Sequence, residues 1–426
     1  MELTRRTLMA AGGIGALGYV GMSQPLGNAL EAKAASELSS RDMPVPFTTA
    51  FQPLQRQLPL ETYVEKGVRT ELYSVTARRG QARILNNYLT PVIGYNGKVP
   101  GQYISVERGT KVRLRVRNGL DLTGGHAGHE SQGFALSTHL HGHASLPEYD
   151  GYADDRTMPG YVKEYVYEND QPARSIWYHD HARHITGENV YSGLATQYHI
   201  RDKVELALLP QGEFDVPLTL SDIMFYSNGV ARYDDKDHSG LWGDIVLVNA
   251  KPWPVMQVKR RVYRFRLLNG SVSRSYQPYL SNGAPVTMVA TDGGLMPTSR
   301  QVTRWRHAPA ERYEFLIDFS KYAPGTEIRL MNASNEKNVD FDHQQDHGVQ
   351  GRRRPGRQDR PDVEPGQHPA DAHLERRHVA GAVAEREAPL PGAEEVGRHQ
   401  PLEHQRDDLG RRHRQRLQEG ARRPRP

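Results

Sequence analysis

The chain has 426 residues, enough for two or three ordinary domains, with a formal charge of +5 and no cysteine. So small a charge gives no sign of a nucleic-acid partner, and the missing thiols exclude disulfides and thiolate-held metal within these residues. Residues 1–34 combine Arg5 and Arg6, a short apolar run from Ala10 to Met22, and Ala32-Lys33-Ala34. That is the pattern of a twin-arginine signal peptide cut near Ala34, which implies a periplasmic, cell-envelope or extracellular product. The apolar run, about a dozen residues, is shorter than the roughly 20 a spanning helix needs, so no stable membrane span is expected.

From about Val45 to Leu330 the chain is a succession of short alternating or β-branched runs divided by Gly, Pro, Asn and Asp. Lys111 to Asn118 alternates strictly, with Val112, Leu114 and Val116 on one face and arginines on the other, which predicts a half-buried strand. Further strands are predicted at Val162 to Tyr167, Ser175 to Tyr178, Val216 to Leu220, Asp244 to Val248, Val262 to Leu268 and Tyr313 to Phe319. Arg312 and Glu314 alternate with apolar neighbours there and read as a solvated face. No long amphipathic helix interrupts the series, so the expected architecture is all-β, built of sandwiches or Greek-key barrels. One strand series closes at Arg201-Asp202-Lys203 and another opens at Glu213-Phe-Asp-Val-Pro217, giving domains at 35–203 and 204–341.

After Phe341 the character changes. Residues 342–426 use ten residue types, with no aromatic residue, Ile, Met, Lys, Ser, Thr or Asn, and read as a disordered low-complexity tail. Those ten types are the ones whose codons begin with G or C, as a shifted frame of a GC-rich gene would give. On that reading His343 to Val349 permits Thr-Asn-Lys-Ile-Met-x-Phe in the original frame, a fitting continuation of a β domain.

The strongest chemical signal is Thr138-His139-Leu140-His141-Gly142 together with Trp177-Tyr178-His179-Asp180-His181. On a strand, residues i and i+2 share a face, so each His-x-His pair presents two imidazoles to one point. Two such strands side by side supply four nitrogen donors, a set suited to copper or zinc. His143 and His184 lie close by, and Trp177 reads as packing beside the site.

These segments resemble the first-domain copper motifs of multicopper oxidases, in the bilirubin oxidase and laccase-like branch. The resemblance extends over Tyr149-Asp150-Gly151-Tyr152, the block Trp177-Tyr-His-Asp-His-Ala-Arg-His-Ile-Thr-Gly-Glu-Asn189, Trp242-Gly-Asp-Ile-Val-Leu-Val-Asn249 with Pro252-Trp253-Pro254, and Tyr263-Arg-Phe-Arg-Leu-Leu-Asn269, within about Phe51 to Phe341. It implies cupredoxin-like domains in tandem. By position it also implies that His139 binds the type 2 copper, that His141, His179 and His181 bind the type 3 pair, and that Asp150 delivers protons near the type 2 copper. Asp150 reads equally well as a turn residue before Gly151. His143 and His184 match no family ligand.

The implied reaction couples one-electron oxidation of a small reducing substrate (a phenol, a tetrapyrrole or a metal ion) to four-electron reduction of dioxygen to water. The family pattern also needs further His-x-His pairs and a cysteine for a type 1 copper. His373, His378 and His399 do not reproduce those spacings, and no cysteine is present, so the chain as written is expected to hold a partial site and to be inactive. A non-catalytic, exported cupredoxin-like structural or assembly protein is the main alternative, and it predicts lost ligands where four histidines are kept. A zinc hydrolase would need a general base beside an open coordination position.

Overall fold

The computed structural model describes residues 35–126, 130–234 and 240–334 together with the strand at 378–384. The chain runs through β1 (Glu61–Glu65), β2 (Val68–Ala82), β3 (Thr90–Tyr95), β4 (Ile104–Glu107), β5 (Lys111–Asn118), β6 (Thr138–His141), β7 (Val162–Tyr167), β8 (Arg174–Asp180), the short helix α1 (Thr186–Ser192) and β9 (Ala195–Arg201). One sheet has the order β1-β2-β5-β7 with β3 paired to β2, and a second has the order β4-β9-β8-β6. The parallel pairings β2 with β5 and β4 with β9 join strands distant in sequence. Between these two sheets lies an apolar cluster that includes Val75, Leu114 and Tyr165 from the first and Leu140, Ile176 and Tyr198 from the second. β5 shows why: Val112, Leu114 and Val116 are buried, while Arg115 and Arg117 stay exposed.

After the helix α2 (Lys203–Leu208) come β10 (Asp215–Ile223), β11 (Ile245–Val248), β12 (Lys251–Pro252), β13 (Val255–Val258), β14 (Val262–Asn269), β15 (Pro278–Leu280), β16 (Val286–Thr291), β17 (Gly294–Val302), β18 (Arg312–Asp318) and β19 (Glu327–Asn332). Seven of them form the sheet β12-β11-β10-β14-β18-β16-β17. It packs on a cluster containing Leu220, Phe265, Phe315, Leu280 and Ile328. The architecture is thus all-β in sandwich layers, as the alternation of the sequence implies.

Among the described residues, no helix is long and apolar enough to cross a membrane. The twin-arginine segment, residues 1–34, lies outside the described residues, as does most of the tail. Within residues 342–426 one short segment is described. His378–Ala384 forms β20, parallel to β13 and antiparallel to β19, and completes a sheet of order β13-β20-β19-β15. Ladder pairing uses backbone groups that every non-proline residue carries, so a composition poor in apolar residues does not forbid it.

The polar face of β18 is covered, contrary to the solvated face expected from its alternation. Arg312 and Glu314 are 4 % and 1 % exposed, not solvated. Their face of β18 lies against β8, where Ser175 Oγ donates to Glu314 Oε1 at 2.6 Å and Arg312 Nε donates to the Ser175 carbonyl at 3.2 Å. Glu314 also accepts from Arg264 Nε at 2.9 Å and pairs with Arg266, while Arg266 Nε donates to Asp215 at 2.7 Å. Both arginines further pair with Glu205. Alternation separates the two faces of a strand; it does not reveal that a second layer covers the polar one.

Candidate metal centre

β6 and β8 are antiparallel neighbours, with His139 directly opposite His179 and His141 opposite Trp177. The period of two sends Leu140, Ile176 and Tyr178 into the core and turns His139, His141, Trp177 and His179 to the other face, where His181, just past the end of β8, joins them. The four imidazoles gather there: the ring centroids of His139 lie 5.5, 5.5 and 5.4 Å from those of His141, His179 and His181. Among the described residues, His139, His141 and His179 bring donor atoms within 4.8 Å of one another.

Two of the rings are anchored from behind. His139 Nδ1 donates to the Asp150 carbonyl at 2.6 Å and His179 Nδ1 to the Asp180 carbonyl at 2.7 Å, so each presents Nε2 outward. His179 Nε2 is buried without a partner, as is His181 Nδ1. A buried imidazole nitrogen left unpaired costs free energy that a bound cation removes, and the donor set suits copper. Burial, aided by Arg312 and the neighbouring imidazoles, lowers the His141 pKa to about 4; burial lowers that of His179 to about 3. Both are therefore neutral near pH 7, the form that binds metal.

Trp177 lies flat against this group, its ring 4.0 Å from His179 at 25° and 5.4 Å from His141 at 28°. Asp180, 1 % exposed, accepts from the backbone N–H of Ser137 and Ala182 at 2.8 and 2.9 Å and from Asn189 Nδ2 at 2.8 Å, which ties the His179–His181 segment to α1. Burial raises its pKa to about 6.

Asp150 sits at the turn where Pro147–Tyr149 ends; its carboxylate Oδ1 lies 3.7 Å from His139 Nδ1, and its side chain is 28 % exposed. Gly151 follows at φ 77°, and a Cβ there would stand 2.1 Å from the Thr138 carbonyl oxygen. His143 stays outside the group, bonded through Nδ1 to Ser145 Oγ at 2.9 Å and set edge-on to Tyr167. His184 is exposed at φ 69°.

Asp180, Asn189 and Arg312 support the site, and of the three the sequence singles out only Arg312, as part of a solvated face. Asp180 lies between two ligand candidates and could have been singled out on that ground. Arg312 belongs to β18, more than a hundred residues on, and its guanidinium closes on Gly142 so tightly that a Cβ there would lie 2.7 Å from Nη2.

Residues 76–205 match the family model described as Multicopper oxidase. The chain is 39 % identical over 250 residues to a bilirubin oxidase of Albifimbria verrucaria, a match covering 57 % of this chain and 41 % of that one. It is 36 % identical over 276 residues to a laccase of Bacillus subtilis (strain 168), covering 58 % and 54 %. The chain thus spans about half the length of the curated relatives it matches. Among solved structures, a multi-copper oxidase from Pediococcus acidilactici superposes with a TM-score of 0.60 at 29 % identity, over 70 % of this chain and 63 % of that one.

Proposed function

On the premise that residues 76–205 are a multicopper oxidase domain, we propose that this chain supplies the first half of the copper cluster of an exported oxidase that oxidises a small reducing substrate and reduces dioxygen to water. The observation that carries the reading is the gathering of four imidazoles on one face of β6 and β8, inside the matched residues.

His139 serves the type 2 copper, and His141, His179 and His181 serve the type 3 pair. Bound copper supplies one-electron redox chemistry at a site that binds dioxygen. The protein's part is to hold the imidazoles in fixed orientation, which it does through the carbonyls of Asp150 and Asp180 and the Trp177 plate. Asp150, whose carboxylate is partly exposed beside His139, hands protons from solvent toward that end of the site. The reducing substrate is a phenol, a tetrapyrrole or a metal ion. Residues 1–34 export the chain by the twin-arginine route, and 35–203 and 204–341 are its two cupredoxin-like domains.

With no cysteine in the sequence, a thiolate-bound type 1 copper has to come from residues outside it. The chain as written, loaded with copper and given a phenolic donor, is expected to consume oxygen at the background rate. A gene corrected by one or two bases within the codons for Val339 to Val349 is expected to give a protein with sustained uptake that His179→Ala abolishes. Absence of further His-x-His pairs and a His-flanked Cys from both alternative frames would sink this reading.

A further inference from the structure

A cluster of arginines lies at the other end of β9 from the histidines. β9 starts at Ala195, which pairs with His179, and ends at Arg201, about 20 Å further along the strand. There an open cavity of about 230 Å3 is lined by Arg56, Arg69, Glu71, Ser105, Thr110 and Arg201, among others. A single water needs roughly 10 to 15 Å3, so the space accepts a polyatomic guest. We propose that Arg56 and Arg201 frame a binding site here for a tetrahedral oxyanion, inorganic phosphate or sulfate, separate from the metal face and independent of what that face binds.

The pairing of the charges favours an anion. Arg69 Nε and Nη2 both donate to Glu71 Oε1, at 3.2 and 2.7 Å, and Tyr73 OH donates to Glu71 Oε2 at 2.7 Å, so that carboxylate is already satisfied. Arg56 Nη2 donates to the Ser105 carbonyl at 2.6 Å, which anchors the side chain and leaves further guanidinium N–H groups to donate. Arg201 is short of a partner: its Nε is buried without one, and it reaches Glu205 Oε1 only at 3.8 Å. Arg264 and Arg266 pair with that same oxygen, and the other carboxylates beside them, Glu314 and Asp215, are engaged in the junction. Turning Arg201 toward the cavity thus gives up no hydrogen bond at Nε, and a guanidinium presents its donors in the fork that oxyanions match. His199 reports the local field. It is buried, and its pKa is held well below the ordinary value by burial first and then by the charges of Arg266, Arg264, Arg201 and Arg56. Buried Ser105 and Thr110 add hydroxyls to the lining, and exposed Glu107 is the charge there that opposes an anion.

The test titrates the full chain, without added metal, with inorganic phosphate, sulfate, acetate and chloride at matched ionic strength, read by calorimetry. A single saturable site for phosphate or sulfate is expected, with acetate and chloride weaker by about tenfold or more. Arg201→Gln and Arg56→Gln are each expected to weaken phosphate binding by about tenfold or more, the scale of one charge-assisted hydrogen bond. Glu107→Gln, which removes the opposing charge, is expected to strengthen it. Arg56 and Glu107 are exposed, so those two variants decide the matter if Arg201→Gln does not fold. Three results would overturn the proposal: a response to chloride equal to that to phosphate, which reports screening of the arginines and no site; acetate binding tighter than phosphate; or phosphate affinity unchanged in either arginine variant.

Discussion

His307 shows what a single buried imidazole does to this fold. It is fully buried; Nε2 donates to the Glu311 carbonyl at 2.8 Å, Nδ1 has no partner, and Tyr313 meets it edge-on. Burial lowers its pKa to about 4, the Glu311 carbonyl opposing and the nearby Arg312 charge adding to the shift. Because the folded value lies below the ordinary 6.5, the unfolded chain binds the extra proton first as pH drops. The stabilisation is complete above pH 6.5 and is lost through that value toward pH 4, by about 3 kcal/mol. Urea unfolding midpoints measured from pH 7 to pH 4 are expected to fall along this window, and His307→Gln is expected to flatten the slope. An equally steep slope in the variant would assign the acid sensitivity elsewhere.

Among the elements, β6 depends on a neighbour that has no side chain. Gly151 takes φ 77° and packs so closely beneath Thr138 and His139 that an added Cβ would meet Thr138 O at 2.1 Å and His139 N at 2.8 Å. Gly151→Ala therefore combines left-handed strain with a backbone collision, and should cost about 2 kcal/mol or more. Its effect should also appear in cupric-ion affinity, because β6 carries His139 and His141. Unchanged affinity with lowered thermal stability would mean that the strand moves without disturbing the rings. The strands themselves were legible in the sequence: Val162–Tyr167 is recovered with the same limits, and Val216 to Leu220 and Val262 to Leu268 lie within β10 and β14. The histidine pairs were legible too, because a period of two is a local property. Arg312 and Glu314 were not, because their burial follows from β8, far away in sequence, lying over that face. The place of β20 was also hidden, since its pairing with β13 and β19 rests on backbone groups that carry no residue signature.

For the molecule as a whole, the junction between the earlier and later strand layers is ionic. Glu314 and Glu205 meet Arg264 and Arg266 there, Ser175 reaches across to Glu314, and Gln197 Nε2 donates to the Leu218 carbonyl at 2.9 Å. Burial alone would raise the Glu314 pKa, but the two guanidinia outweigh it and hold the carboxyl down at about 2. Glu314→Ala leaves two buried cations short of an anion and is expected to destabilise the fold by about 3 to 5 kcal/mol, read as a shift in urea midpoint. A loss below about 1 kcal/mol would show that water enters and solvates the junction.

The odd-numbered positions of β8 carry this junction and the metal face together: Ser175 touches the later layer, Trp177 and His179 look onto the imidazole group, and Ile176 and Tyr178 between them fill the core. One strand thus serves three surroundings, the core on one face and, at different points along the other, the junction and the imidazole group. Substitutions here can be judged one position at a time, but a single inserted or deleted residue would exchange every assignment downstream at once. Among descendants of this gene, the stretch from Ser175 to His181 should therefore tolerate changes of letter far better than changes of length.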